Sequence, residues 1–164
     1  MSAVVFAIDG WTSAYAGESE SLLRRYLDNG GRVVWLGHAP GFFVSNEEGQ
    51  VTGVDRSRPA AILDVDHSAY NTDQYGTWPT EEGRARGLTS WWVAGSRLDS
   101  GVDVTVLASN EVDGTVAWLR SYAGGGEFIQ LYATGETRRL DEIRAVTEYG
   151  LFRSPDARDV EAAR

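Results

Sequence analysis

The stretch LLRRYLDNGGRVVWLGHAPGFF, Leu22 to Phe43, decides how the rest of the chain is read. Its apolar residues Leu22, Leu23, Tyr26 and Leu27 share one stripe, as an amphipathic helix requires. A helix is therefore predicted over residues 18–28, with Glu18 and Glu20 where the helix dipole favours acid. Gly30 falls at the position after the helix end, where a left-handed backbone is usual. Residues 32–36 (RVVWL) form a short apolar run, the pattern of a strand buried on both faces. The turn Gly37-His38-Ala39-Pro40-Gly41 then has the G-x-Nuc-x-G outline of a nucleophile elbow, with alanine at the nucleophile position.

Working outward, residues 3–8 (AVVFAI) read as a second doubly buried strand, ended by Asp9-Gly10. Strand, helix and strand with short links make a βαβ unit, which implies parallel strands and a right-handed crossover. Residues 58–65 read as a short helix with Pro59 near its first turn. Residues 67–87 are polar and aromatic and read as a long loop. Residues 102–108 alternate like a strand. Residues 115–122 and 127–132, joined through Gly124-Gly125-Gly126, read as a β-hairpin. Residues 138–149 form an amphipathic helix closed by Gly150. The predicted fold is α/β: three layers, a mainly parallel sheet with flanking helices, and an antiparallel C-terminal hairpin. A single domain is expected over residues 1–153, with 154–164 as a flexible tail.

Composition narrows the chemistry. The chain has 164 residues, 42% hydrophobic and 24% charged, values of a globular domain. Its net charge is −9, which argues against a nucleic-acid partner. All 15 basic residues are arginine, so Schiff-base chemistry and a Walker A phosphate loop are excluded. There is no cysteine, which removes disulfides, thiolate nucleophiles and Cys-zinc sites. No apolar run is long enough to span a bilayer. The start, MSAVVFAIDG, lacks a basic leader region, so a cytoplasmic location is expected.

YLDNGGRVVWLG, the glycine-flanked turn, the Gly87-Leu88-x-x-Trp91 element and AWLRSYAGGGEFIQLYATGE follow one another over much of residues 1–150. In this order they resemble the class I glutamine amidotransferase-like superfamily, of flavodoxin-like fold. They look most like its divergent members, such as the accessory domains of β-galactosidases and the trehalose-utilisation-like proteins. The resemblance implies a Cys-His-Glu triad, with Cys on the elbow and H-x-E after a late strand. Here Ala39 replaces the nucleophile, Thr134 replaces the base, and Glu136 matches the acid. Alanine cannot attack and threonine is a poor base, so triad catalysis is lost. Fewer strands precede the elbow than the superfamily usually has. A short sheet of this kind leaves an edge that another chain can cover.

The leading expectation is a non-catalytic scaffold or interaction domain that self-associates or docks on another protein, with no cofactor, metal or catalytic residue assigned. A ligand-binding module for a carbohydrate or small molecule is the alternative. Its candidate residues are Asp9, Trp11, Gly37, His38, Trp91 and Glu136, around the strand ends where open α/β sheets bind ligands. A third reading is a divergent hydrolase using His38 with Asp9 or Glu136. Asp64-x-Asp66-His67 has metal-type donors at close spacing, but no second cluster accompanies it. Six tryptophans is many for this length. Trp35 and Trp118 are expected in the core, and Trp11, Trp78, Trp91 and Trp92 near loops, either roofing the core or stacking on a ligand.

Overall fold

The computed structural model describes residues 2–7, 10–12, 18–38, 40–55, 57–70, 73–93, 96–98, 103–112, 114–132 and 140–150. Among the described residues, twelve strands and four helices follow one another: β1 (Ala3–Phe6), β2 (Gly10–Thr12), α1 (Glu18–Asp28), β3 (Arg32–Trp35), β4 (Phe43–Ser45), β5 (Val51–Val54), α2 (Arg58–Leu63), β6 (His67–Tyr70), β7 (Tyr75–Pro79), α3 (Glu81–Ala85), β8 (Trp91–Val93), β9 (Ser96–Leu98), β10 (Thr105–Asn110), β11 (Gly114–Ser121), β12 (Glu127–Gln130) and α4 (Leu140–Glu148). Seven strands form one sheet in the order β1-β3-β12-β11-β10-β7-β8. A three-stranded sheet, β2-β4-β5, and a β6-β9 pair complete the set.

This corrects the expected three-layer, mainly parallel α/β architecture and, with it, the flavodoxin-like description. In the large sheet only β1–β3 and β3–β12 pair in parallel. The pairings β12–β11, β11–β10, β10–β7 and β7–β8 are all antiparallel. The chain is mostly β, with few and short helices. The supposed loop at residues 67–87 is the main source of the difference, because it contains β6, β7 and α3. Gly76 and Pro79 both weaken the strand signal of YGTWP. Pro79 is tolerated as the last residue of β7, and the next residue starts a helix. Thr80 caps α3 by accepting the Gly83 N–H at 3.2 Å and donates its own hydroxyl to the Val106 carbonyl at 2.7 Å.

β3, α2, β10, β11, β12 and α4 form close to where the pattern placed them, whereas β2, β4, β5, β8 and β9 carry too few residues to have shown one. α1 occupies Glu18–Asp28. It ends in a Schellman arrangement: the Gly31 N–H donates to the Tyr26 carbonyl and the Gly30 N–H to the Leu27 carbonyl, with Gly30 at φ +85°. The glycine turn of the β11–β12 hairpin packs directly on this helix end. A Cβ on Gly124 would lie 1.6 Å from the Asp28 carbonyl oxygen, and one on Gly126 2.0 Å from that of Leu27. Two of the three turn glycines are therefore required by backbone contact rather than by the turn alone.

Alternate residues of β3 build two cores. Val33 and Trp35 join Leu27, Ile62, Leu63, Trp118 and Phe128 beneath α1 and α2. Val34 and Leu36 join Leu107, Ala117, Ile129, Ile143 and Val146 beneath α4. Arg32, buried at the start of β3, ties the two sides together. Its guanidinium pairs with Glu127, directly opposite in the parallel ladder, at 2.5 Å. The same group donates to the carbonyls of Thr147 and Tyr149 at 2.8 and 2.6 Å, closing the end of α4.

β1 departs from expectation in a different way. It was read as buried on both faces, yet Val4 and Val5 are each 42% exposed. Successive strand residues point to opposite faces, so neither face of β1 is fully covered. β1 is also a terminal strand of the large sheet.

Candidate functional site

The turn after β3 is the expected ligand region. Among the described residues it is a packed aromatic cluster. The His38 ring lies edge-on against Phe43 and Tyr132, with centroids 5.3 and 5.6 Å away. The His38 carbonyl accepts the Trp35 indole N–H at 2.5 Å. Beneath the turn, the fully buried Gln130 donates its amide to the Gly37 carbonyl at 2.8 Å, while its Oε1 has no hydrogen-bond partner among the described residues. Tyr132 adopts φ +53°, an unusual conformation for a bulky residue. The backbone of Trp11 lies alongside, since β2 pairs in parallel with β4, Trp11 opposite Val44 and Gly10 opposite Phe43.

The structure thus brings Trp11, Gly37 and His38 into one neighbourhood. Trp91 is elsewhere, in β8 at the far edge of the large sheet. Asp9, Ala39, Thr134 and Glu136 lie outside the described residues, as does the C-terminal tail. The pairing of His38 with Asp9 or Glu136 lies outside them too.

Asp64, Asp66 and His67 turn apart instead of converging on an ion. Asp64 ends α2 in a left-handed conformation, and its carboxylate receives Arg24 at 2.8 Å and Arg120 at 3.7 Å. Asp66 is exposed and accepts the His67 backbone N–H at 2.9 Å. The His67 ring is buried against Trp118, 6.2 Å between centroids. Burial lowers its pKa to about 4, against the opposing pull of Asp66, so the ring is neutral near pH 7. Among the described residues no group of three His, Cys, Asp or Glu side chains could hold a metal, and no helix is long and apolar enough to cross a membrane.

The tryptophans divide. Trp35 and Trp118 are core residues, as expected. Trp91 is buried as well, whereas its neighbour Trp92 is 65% exposed and Trp78 is 52% exposed. Trp92 stands opposite Gly76 in the β7–β8 ladder, and Trp78 lies two residues beyond Gly76, so both indoles share one face. The WW dipeptide signalled that one indole faces in and one out, but not which. The sequence reading selected Trp91; the structure exposes Trp92.

The chain matches the MJECL34 family over residues 2–143 and belongs to that family. No curated protein matches the sequence. Several solved structures share the fold, among them three glycosidases. The β-galactosidase of Bacillus circulans sp. alkalophilus is 13% identical, with a TM-score of 0.56 over 89% of this chain and 21% of that one. The β-galactosidase of Rahnella sp. R3 is 13% identical, with a TM-score of 0.51 over 91% and 21%. The exo-β-1,4-mannosidase Op5Man5 of Opitutaceae bacterium strain TAV5 is 12% identical, with a TM-score of 0.50 over 99% and 24%. The chain spans only about a fifth to a quarter of each. The β-galactosidase side of the sequence resemblance is consistent with these structures. The amidotransferase-like assignment finds no support in them, and the mostly β, mixed sheet departs from its flavodoxin-like α/β fold.

Proposed function

We propose that this MJECL34-family chain is a non-catalytic interaction domain that self-associates through the β1 edge of its large sheet. One observation carries the reading: β1 ends the sheet with Val4 and Val5 uncovered on opposite faces. Parallel strands are normally covered on both faces, and an apolar edge strand readily templates pairing with another chain. Two copies related by a twofold axis can pair β1 with β1, each valine finding a partner on the other copy. In the similar β-galactosidases and mannosidase the matched region is one part of a much longer polypeptide, which suits a module that works against other protein. The positions of the two histidines also favour binding over catalysis. One is neutral in the core and the other is packed between aromatic rings.

Light scattering at several protein and salt concentrations tests the proposal. The expected result is a dimer or larger closed oligomer that tightens as salt screens repulsion between copies of net charge −9. Val4→Arg and Val5→Arg are expected to yield folded monomer. A wild-type monomer at all concentrations, or a molar mass unmoved by either substitution, contradicts it.

A further inference from the structure

At the opposite end of the sheet, independently of the β1 edge, Gly76, Thr77, Trp78, Ser90, Trp91 and Trp92 line a solvent-open cleft of about 100 Å³. We propose that this cleft is a binding site for one neutral pyranose ring, held by stacking between the indoles of Trp78 and Trp92.

Glycine forms the gap between the two indoles. A Cβ on Gly76 would lie 3.1 and 3.3 Å from Cη2 and Cζ2 of Trp78 and 3.8 Å from Cζ2 of Trp92. The six-membered rings of both indoles therefore converge over the one residue of β7 with no side chain. Both indoles stay half or more exposed, although large aromatics are on average highly buried. A ligand with an apolar face gains contact there without displacing core residues.

The lining selects the ligand class. It carries no charged side chain, and the chain as a whole is strongly acidic, so anions such as phosphates and carboxylates are disfavoured. Ser90, exposed beside the indoles, adds a hydroxyl-bearing residue to the lining, which suits a ligand with hydroxyls of its own. Trp91, whose ring turns into the core on the opposite face, leaves the cleft to the two exposed indoles. At about 100 Å³, a third of the roughly 300 Å³ at which drug-sized pockets begin, the open cleft takes one ring lying partly in solvent and not an oligosaccharide.

The test is titration of the full chain with glucose, galactose, mannose, lactose and a soluble polysaccharide, followed by the indole N–H resonances of the tryptophans. Tetramethylammonium serves as the cationic control, because paired indoles also attract cations. The expected result is saturable binding of a neutral sugar that shifts the Trp78 and Trp92 indole signals. Trp78→Ala and Trp92→Ala are each expected to weaken it by roughly tenfold. Binding by monosaccharides identifies a free sugar; binding by the polysaccharide alone identifies a glycan terminus. Absence of sugar binding, or sugar binding unchanged in both variants, overturns the proposal, as does binding of tetramethylammonium alone. A molar mass lowered by Trp92→Ala with no sugar bound shows a protein interface here instead. Val4→Arg is expected to leave sugar binding unchanged, so failure at one edge is read separately from failure at the other.

Discussion

The two ends of the seven-stranded sheet expose apolar surface in different ways. At the β1 end, the side chains are small and aliphatic, lie on both faces of a terminal strand, and sit beside a parallel ladder. At the β7–β8 end, the side chains are large and aromatic, lie on one face, and enclose a gap floored by glycine. An aliphatic edge offers its backbone and suits another strand. A one-faced aromatic pair offers ring surfaces and suits a small ligand. Exposed hydrophobicity alone does not separate these roles; strand position and side-chain shape do.

The comparison can be broken first at Arg32, which secures the parallel end. Arg32→Ala removes the partner of Glu127 and the donors to the last carbonyls of α4, and breaking a buried pair in this way typically costs about 3–5 kcal/mol. Urea unfolding is expected to show a loss in that range. A loss below about 1 kcal/mol means the parallel end holds without this tie.

A second effect is comparable in size and depends on pH. His67 packs on Trp118 of β11, midway between the ends. Its folded pKa of about 4 lies below the ordinary 6.5. Within that window the unfolded chain binds a proton that the folded chain refuses, so stability is lost as pH falls from 6.5 towards 4. The shift corresponds to about 3 kcal/mol at full effect. Unfolding of His67→Leu measured at several pH values is expected to lack this component of acid sensitivity. An unchanged pH slope shows that the ring is not buried as described.

Gly124→Ala forces a Cβ into the Asp28 carbonyl and is expected to cost about 1–3 kcal/mol, read as a lowered thermal midpoint. The smallest effects belong to the aromatic end. Trp78→Ala and Trp92→Ala are each expected to change stability by less than about 0.5 kcal/mol, as for exposed positions. A loss above about 1 kcal/mol in either would make the pair a roof for the core and weaken the contrast between the two ends.

What the sequence revealed followed the same division. The parallel end was legible because its signals are local: the amphipathic stripe of α1, Gly30, the apolar run of β3 and the triple-glycine hairpin each announce one element. The antiparallel end was not, because β7 carries Gly76 and Pro79, both residues that strands usually avoid, and β8 is only three residues long. Reading residues 67–87 as loop hid β7, the strand that carries the antiparallel run from β10 on to β8. The strand-end rule selects His38 and Trp11, and β2 and the turn after β3 do lie near one another. Trp92 and Gly76 were missed because their significance lies in a cross-strand register that only pairing reveals.

The bond network of Arg32 also constrains the order of events as the fold forms. Its carboxylate partner lies 95 residues further along the chain and its last carbonyl partner 117 residues further. In a protein made from its N-terminus, β1, α1 and β3 emerge early but must wait for β12 and α4 before this guanidinium can be buried with its partners. Contacts of such long sequence separation slow folding. During that delay the valines of β1 and the backbone edge of β3 both face solvent, so the interval before β12 arrives is when the nascent chain most needs protection from pairing with the wrong strand.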